Sequence, residues 1–319
     1  MSPSFAIGID IGGTSTKIGI VDHSGKVICQ DTLVTNTFSS VDLFIDSLYN
    51  KIVPMIQQVG GIDTIIGIGV GAPNGNIYSG AIEYAPNLQW KGIIPLASFI
   101  QIKFGLPTTL TNDANAAALG EMMYGATKNV PHFIMITLGT GVGSGIVIDG
   151  KIVVGHDGFA GELGHTIIRH DGRLHIGTGM RGSVESYASA TGVINTALEF
   201  LNIQPEKASL LRNYAPESLT SKDIYTCAMQ GDDIAKEVFE FTGKILGEAL
   251  SNFVMFSSPE VIVLFGGLTN AGALIMTPTK FHLEKNLLPI FKNKIKLVFS
   301  ELNESDAAII GASALAWEK

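Results

Sequence analysis

The chain predicts an α/β protein of two related lobes, with mixed sheets flanked by helices. Three observations carry that expectation. A glycine-rich pattern occurs twice, as IGIDIGGTSTKIGIVDHSGKVI from Ile7 to Ile28 and as MITLGTGVGSGIVIDGKIV from Met135 to Val153. Each copy is an apolar run, a Gly/Thr turn, a second apolar run, a Gly-Lys tip and a third apolar start, which is hairpin patterning. Apolar runs then alternate with helix-patterned segments in the order βββαβαβα, and a similar series follows an insertion. Finally, 319 residues, 46% of them hydrophobic, suffice for two ordinary domains with real cores.

In chain order, residues 5 to 35 read as three strands joined by turns. Residues 40 to 59 have helical spacing in Leu43, Phe44, Leu48, Ile52, Met55 and Ile56, with Ser39 or Ser40 as cap. TIIGIGVGAP is a buried strand that ends in a loop at Pro73, NLQWKG is a loop, and a helix follows near 95 to 104. LPTTLTND is a strand that stops at Asn112-Asp113, either of which can cap the helix ANAAALGEMMYGA. The second strand set spans His132 to Val154, and a Gly/His-rich loop spans Gly155 to Gly182. Helices dominate from Ser183 to Phe256. PEVIVLFGGLTNAG is a strand, a Gly-Gly turn and a helix start, KIKLVFSEL is a late strand, and DAAIIGASALAW is a closing helix expected to pack back on the first lobe. The lobes are expected as 1–114, with closing helix 305–319, and 115–304.

Composition excludes several classes. A formal net charge of −8 without a Lys/Arg cluster argues against nucleic acid as the main partner. The apolar runs are short and glycine-broken, so no membrane span is expected. The N-terminus has no basic region and enters a strand at once, unlike a signal peptide. Cys29 and Cys227 provide neither a disulfide framework nor metal spacing. A cytoplasmic protein is the expectation.

The twin turns can wrap phosphate, because glycine permits close approach and clustered N–H dipoles attract anions. Asp10, at a strand end just before the first turn, could hold Mg²⁺ against phosphate oxygens; the alternative is a turn-capping carboxylate. Gly145, Gly150 and Lys151 have P-loop spacing, but Ile152 follows the lysine and the segment reads strand, tip, strand. No G-x-G-x-x-G opens a helix, which disfavours a dinucleotide fold.

Taken in order, DIGGTSTKIGIVD, NDANAAALGE, LGTGVGSGIVIDGKI, AGELGH, RGSVESYAS and LFGG resemble the ROK (repressor, ORF, kinase) family, the sugar-kinase branch of the actin-like ATPase fold. The resemblance covers nearly the whole chain, and AGELGH looks most like the family's glucokinases and N-acetylhexosamine kinases. It implies the two-lobed actin-like ATPase (ribonuclease H-like) fold with a ligand cleft between lobes. Regulator members carry an extra helix-turn-helix domain in front, for which no room is expected ahead of Asp10.

The resemblance also implies roles. Asp113 is the candidate base, accepting the proton of the attacking sugar hydroxyl, with Asn112 beside it on the sugar. Glu162 and His165, three apart, and Glu185 would read further hydroxyls. Gly12, Gly13, Thr14, Lys17, Thr140 and Gly141 would hold phosphates with Asp10, and Gly266 and Gly267 would flank the base or ribose. Each has a plainer reading: an N-cap pair, a loop histidine with a local acceptor, a favourable charge in a first helical turn, and ordinary turns. Family members usually show C-x-C-G-x-x-G-C-x-E, whose cysteines join a histidine on structural zinc. Here Ile176, Thr178 and Ser183 stand in the cysteine positions, so no zinc is expected. His156, His165, His170 and His175 cluster without a helical face.

The expected activity is ATP- and Mg²⁺-dependent phosphorylation of a hexose, glucose first. The alternatives are an N-acetylmannosamine or N-acetylglucosamine kinase, a catalytically silent sugar sensor, and an actin-like structural ATPase. Sugar and ATP are the expected partners, and a homodimer or homotetramer the expected assembly.

Overall fold

The first glycine turn joins two antiparallel strands. In the computed structural model, which describes residues 4–303 and 306–317, β1 (Phe5–Ile11) pairs with β2 (Ser15–Asp22), and β3 (Val27–Val34) continues the meander on β2. Ile7 and Ile9 on one face and Ala6 on the other are fully buried, as in a strand covered on both faces. The helix α1 (Val41–Gln58) is capped by Ser40, whose side chain accepts from the Leu43 N–H. It buries Phe44, Leu48, Ile52, Met55 and Ile56. Leu43, expected on that face, is instead exposed, because it lies about 100° round the helix from Phe44.

The strand β4 (Ile65–Ala72) lies parallel to β1. A stretch read as loop then forms a separate antiparallel sheet of β5 (Gly75–Asn76), β6 (Ala81–Glu83) and β7 (Ile93–Ile94). The helix α2 (Leu96–Phe104), the strand β8 (Thr108–Asn112), parallel to β4, and the helix α3 (Asp113–Tyr124) follow.

The second series repeats the first. It comprises β9 (Phe133–Leu138), β10 (Val142–Ile148), β11 (Lys151–Ile152), α4 (Glu185–Ala188), α5 (Ala190–Ile203), α6 (Ser221–Met229), α7 (Asp233–Ser257), β12 (Val261–Phe265), α8 (Ala273–Asn286), β13 (Lys296–Phe299) and α9 (Ala307–Trp317). The two five-stranded sheets have matching orders, β3-β2-β1-β4-β8 and β11-β10-β9-β12-β13. The supposed P-loop is a hairpin tip: Asp149 and Gly150 have φ of 52° and 71°, the left-handed pair that a two-residue turn of the primed type requires.

The chain divides into two compact units, Met1–Pro131 with Gly145–Gly161 and Ser300–Lys319, and His132–Ser144 with Glu162–Phe299. The first unit thus extends beyond the 1–114 expected, for reasons visible in its packing. A Cβ on Gly120 of α3 would come within 2.7 Å of Gly311 Cα in α9, and one on Gly145 within 2.6 Å of Ala118. Asn76 Nδ2 donates to the Asp157 carbonyl at 2.7 Å, and Tyr78 Oη to the Gly155 carbonyl at 2.8 Å. The helix α9 lies on β1 and β4, where side chains on Gly8 or Gly69 would collide with its backbone at Ile309 and Ala312. Ser305, Glu318 and Lys319, expected in this helix, lie outside the described residues. In the second unit Ile134, Ile136, Val238, Phe239, Leu246, Leu250, Ile262 and Leu264 belong to one apolar core.

Candidate active site

In the first unit, three parallel strands end together. Asp10 of β1 is in register with Gly71 of β4, Gly71 with Thr111 of β8, and Ala72 with Asn112. Open α/β sheets characteristically bind ligands at such carboxyl ends. Because residue 71 has no side chain, Asp10 and Asp113 approach across it: a Cβ there would lie 3.6 Å from Asp10 Oδ1 and 3.6 Å from Asp113 Cα. The Asp10 carboxyl is pushed up to about 7, first by burial and then by the neighbouring Asp113 charge, with Lys17 opposing. Lys17 stands opposite Asp10 on β2.

Asp113 keeps a solvent-exposed surface while protein crowds it, and the lost hydration raises its carboxyl, with the Ala114 N–H pulling the other way. Asn112 caps α3, its Oδ1 accepting from the Ala114 N–H at 2.8 Å; Asp113 Oδ1 accepts from the same group at 2.8 Å. The N-cap reading is thus observed at Asn112.

The first turn is closed by Gly12 N–H donating to the Ser15 carbonyl at 2.9 Å, while the Thr14 carbonyl accepts from Thr35. Gly13 was expected to be glycine for the sake of a phosphate. The structure gives a protein reason: a Cβ there would lie 2.7 Å from the Asn87 carbonyl oxygen.

In the second unit, the corresponding turn closes by Gly139 N–H donating to the Gly141 carbonyl across Thr140. Glu185 is read against this turn. Its Oε2 accepts from the Val142 N–H at 2.7 Å, its Oε1 lies 2.9 Å from His175 Nε2, and a side chain on Gly141 would collide with it. Only 9% of Glu185 is exposed. It opens α4, but the helix expected over VESYASATG breaks at Ser189, whose hydroxyl caps α5 by accepting from the Gly192 N–H.

Leu163–His165 is a turn of 3₁₀ helix, which brings Glu162 Oε2 to 3.7 Å from His165 Nε2. His165 Nδ1 is buried and has no hydrogen-bond partner among the described residues, and its ring centroid lies 6.3 Å from that of His175. His175 was read only as one of a histidine cluster; its contact with Glu185 spans ten residues and follows no sequence period.

The residues in the cysteine positions do not fit zinc. Ile176 is 90% exposed and has no ligand atom, Thr178 Oγ1 is engaged with His175 Nδ1 at 2.9 Å, and the buried Ser183 hydroxyl pairs with Ser186 at 2.8 Å.

Gly266 ends β12 with φ of 103°, and a Cβ on it would lie 2.7 Å from the Leu138 carbonyl oxygen. Gly267 starts a 3₁₀ turn along a cavity of about 340 Å³, lined also by Ser221, Lys222, Tyr225, Phe239 and Asn270. Tyr225 and the α6 residues were not foreseen, because nothing in their spacing separates a cavity wall from an ordinary helix face. The set named from the sequence is thus divided: Asp10, Gly12, Gly13, Thr14, Lys17, Asn112 and Asp113 in the first unit, and Thr140, Gly141, Glu162, His165, Glu185, Gly266 and Gly267 in the second.

The ROK family model matches residues 6–319. A glucokinase of Halalkalibacterium halodurans is 33% identical over 317 residues, covering 99% of this chain and 96% of that protein. A ROK family glucokinase of Streptomyces griseus, solved with glucose and AMPPNP, superposes with a TM-score of 0.82 at 30% identity, over 99% of this chain and 100% of that one. A xylose repressor of Bacillus spizizenii is 29% identical, over 98% of this chain and 77% of the repressor.

Proposed function

The chain belongs to the ROK family, and from that premise we propose that it is an ATP-dependent hexokinase-type sugar kinase, a glucokinase that converts glucose to glucose 6-phosphate. The observation that carries the reading is the Asp10–Gly71–Asp113 arrangement, two carboxylates of raised pKa at the ends of parallel strands. Full-length similarity to glucokinases supports it.

In this reading Asp113 accepts the proton of the attacking hydroxyl as the new P–O bond forms. A carboxyl raised toward neutrality is a stronger base than an ordinary aspartate. Asn112 holds a neighbouring hydroxyl, and Glu162, His165 and Glu185 read others. The N–H groups of Gly13 and Thr14, in the turn that Gly12 closes, those of Thr140 and Gly141, and the Lys17 ammonium receive the phosphates. The cavity beside Gly266 and Gly267 takes the base, with Tyr225 as an aromatic wall. The Asp10 charge is disfavoured by burial and by Asp113; Asp10 would hold Mg²⁺ through the nucleotide, and the ion would neutralise charge on the phosphate oxygens. A homodimer or homotetramer belongs to the same reading.

Incubation with ATP, Mg²⁺ and a panel of glucose, N-acetylmannosamine and N-acetylglucosamine, with the products resolved by mass, tests the proposal. Phosphorylation of an N-acetylhexosamine in preference to glucose selects the alternative substrate. Sugar binding without any phosphorylation selects a silent sensor, the reading that the repressor relatives support.

A further inference from the structure

The loop between Arg173 and Ser183 lacks an apolar anchor. Ile176 is 90% exposed, Leu174 44% and Met180 37%. Its backbone closes on His175: the His175 N–H donates to the Met180 carbonyl and the Gly179 N–H to the His175 carbonyl, both at 2.8 Å. The His175 ring is held at both nitrogens, Nε2 at 2.9 Å from Glu185 Oε1 and Nδ1 at 2.9 Å from Thr178 Oγ1. Thr178 Oγ1 also accepts from the Met180 N–H at 3.3 Å, so its own proton is free to go to Nδ1. That leaves Nε2–H to donate to Glu185, and the network closes with every donor matched to an acceptor.

Glu185 needs this partner. A largely buried carboxylate is costly unless its oxygens are hydrogen-bonded. The Val142 N–H serves Oε2, and His175 serves Oε1. Oε2 lies so close to Gly141 that a side chain there would collide with it, so the group sits between the backbone of the turn and an imidazole.

We infer that His175 is a positioning residue: it fixes the Glu185 carboxylate for sugar recognition and ties the 173–183 loop to that carboxylate, the task that this loop performs without thiols. The inference rests on the sugar-kinase reading for its kinetic consequence, but the clamp itself is a property of the fold. His175 touches neither sugar nor phosphate in this account. It acts through Glu185, and Thr178 acts through His175 by selecting the tautomer.

The test combines two readouts on the full-length protein. In steady-state kinetics with glucose, His175→Ala is expected to raise the sugar KM by about tenfold or more, the order expected when a charged hydrogen bond is lost. The ATP KM should stay within about twofold. His175→Gln, whose amide N–H reaches as Nε2 does, should restore the sugar KM to within about threefold of wild type. A sugar KM unchanged in His175→Ala, or a glutamine variant no better than alanine, overturns the inference. In imidazole ¹⁵N NMR of the wild-type protein, the His175 ring is expected as the single Nε2–H tautomer, becoming mixed in Thr178→Val. A ring that already samples both tautomers in the wild type overturns the clamp. If the wild-type protein phosphorylates no hexose, the kinase reading falls and the NMR result alone decides the clamp; it decides equally if His175→Ala fails to fold.

Discussion

The Asp10 carboxylate and the Asp113 backbone crowd the same bare side of Gly71. A Cβ on Gly71 would lie 3.6 Å from the carboxylate oxygen of the first and 3.6 Å from the Cα of the second. The arrangement follows from strand register, which brings the end of β1 beside β4 and the end of β4 beside β8. Burial and like charge then raise the Asp10 carboxyl to about 7.

Replacing Asp113 with asparagine keeps its size and an oxygen for the Ala114 N–H and removes the proposed base. The kcat for glucose should fall by about 10²-fold or more, with sugar binding altered much less. Near wild-type kcat in the purified variant would remove Asp113 from the mechanism.

Asp10 makes stability depend on pH in a definite direction. Its folded pKa, about 7, lies above the ordinary aspartate value of 3.8, so the folded state holds the proton more tightly than the unfolded chain. Its stabilising contribution is complete below about pH 4 and is lost as pH rises through about 7. Asp10→Asn should therefore melt about 2–4 °C above wild type at pH 8 without Mg²⁺, with the gap closing toward pH 4. Scanning calorimetry across this range checks it; a variant that melts below wild type at pH 8 contradicts the assigned burial. The same variant should raise the KM for Mg²⁺-ATP if Asp10 holds the ion.

Alanine at Gly141 would push against the Glu185 carboxylate, since the added carbon collides with Oε2. The sugar KM should rise by about tenfold, together with that for ATP. Alanine at Gly13 instead meets the Asn87 carbonyl oxygen at 2.7 Å, so it should lower Tm as well as weaken ATP binding. Kinetics and melting on both variants separate the two turns; unchanged KM values in both would remove the turns from the site.

Glucose should be preferred over N-acetylmannosamine and N-acetylglucosamine by at least about tenfold in kcat/KM. Glu185 is held at both oxygens, so it is poorly able to retreat from an acetyl group. A site built to hydrogen-bond a hydroxyl rejects an analogue lacking it, because its own groups are left unpaired. Competition between the sugars, followed by product mass, reads the ratio directly.

What the sequence discloses here is what local periodicity and chain order carry. The twin hairpins, the Asn112 cap and the strand stops were legible because each is set by residues within a few positions. The short sheet of β5, β6 and β7 was not, because two- and three-residue strands leave no alternation to read. The extent of the first unit was hidden as well, since it depends on Asn76 reaching Asp157 and on α9 lying against the bare glycines of β1 and β4. At the site, Glu185 was identifiable as a residue type in a motif. Its surroundings were not: Val142 lies 43 residues away, and His175 belongs to a loop without regular structure.

The chain is expected to transfer a phosphoryl group from ATP to glucose. A coupled ADP-release assay, run with and without each sugar and repeated on Asp113→Asn, tests it most directly. Release should depend on glucose, exceed the rate with either N-acetylhexosamine, and fall by about 10²-fold in the variant. Release no faster with any hexose than without sugar, in protein shown by calorimetry to bind glucose, would contradict it.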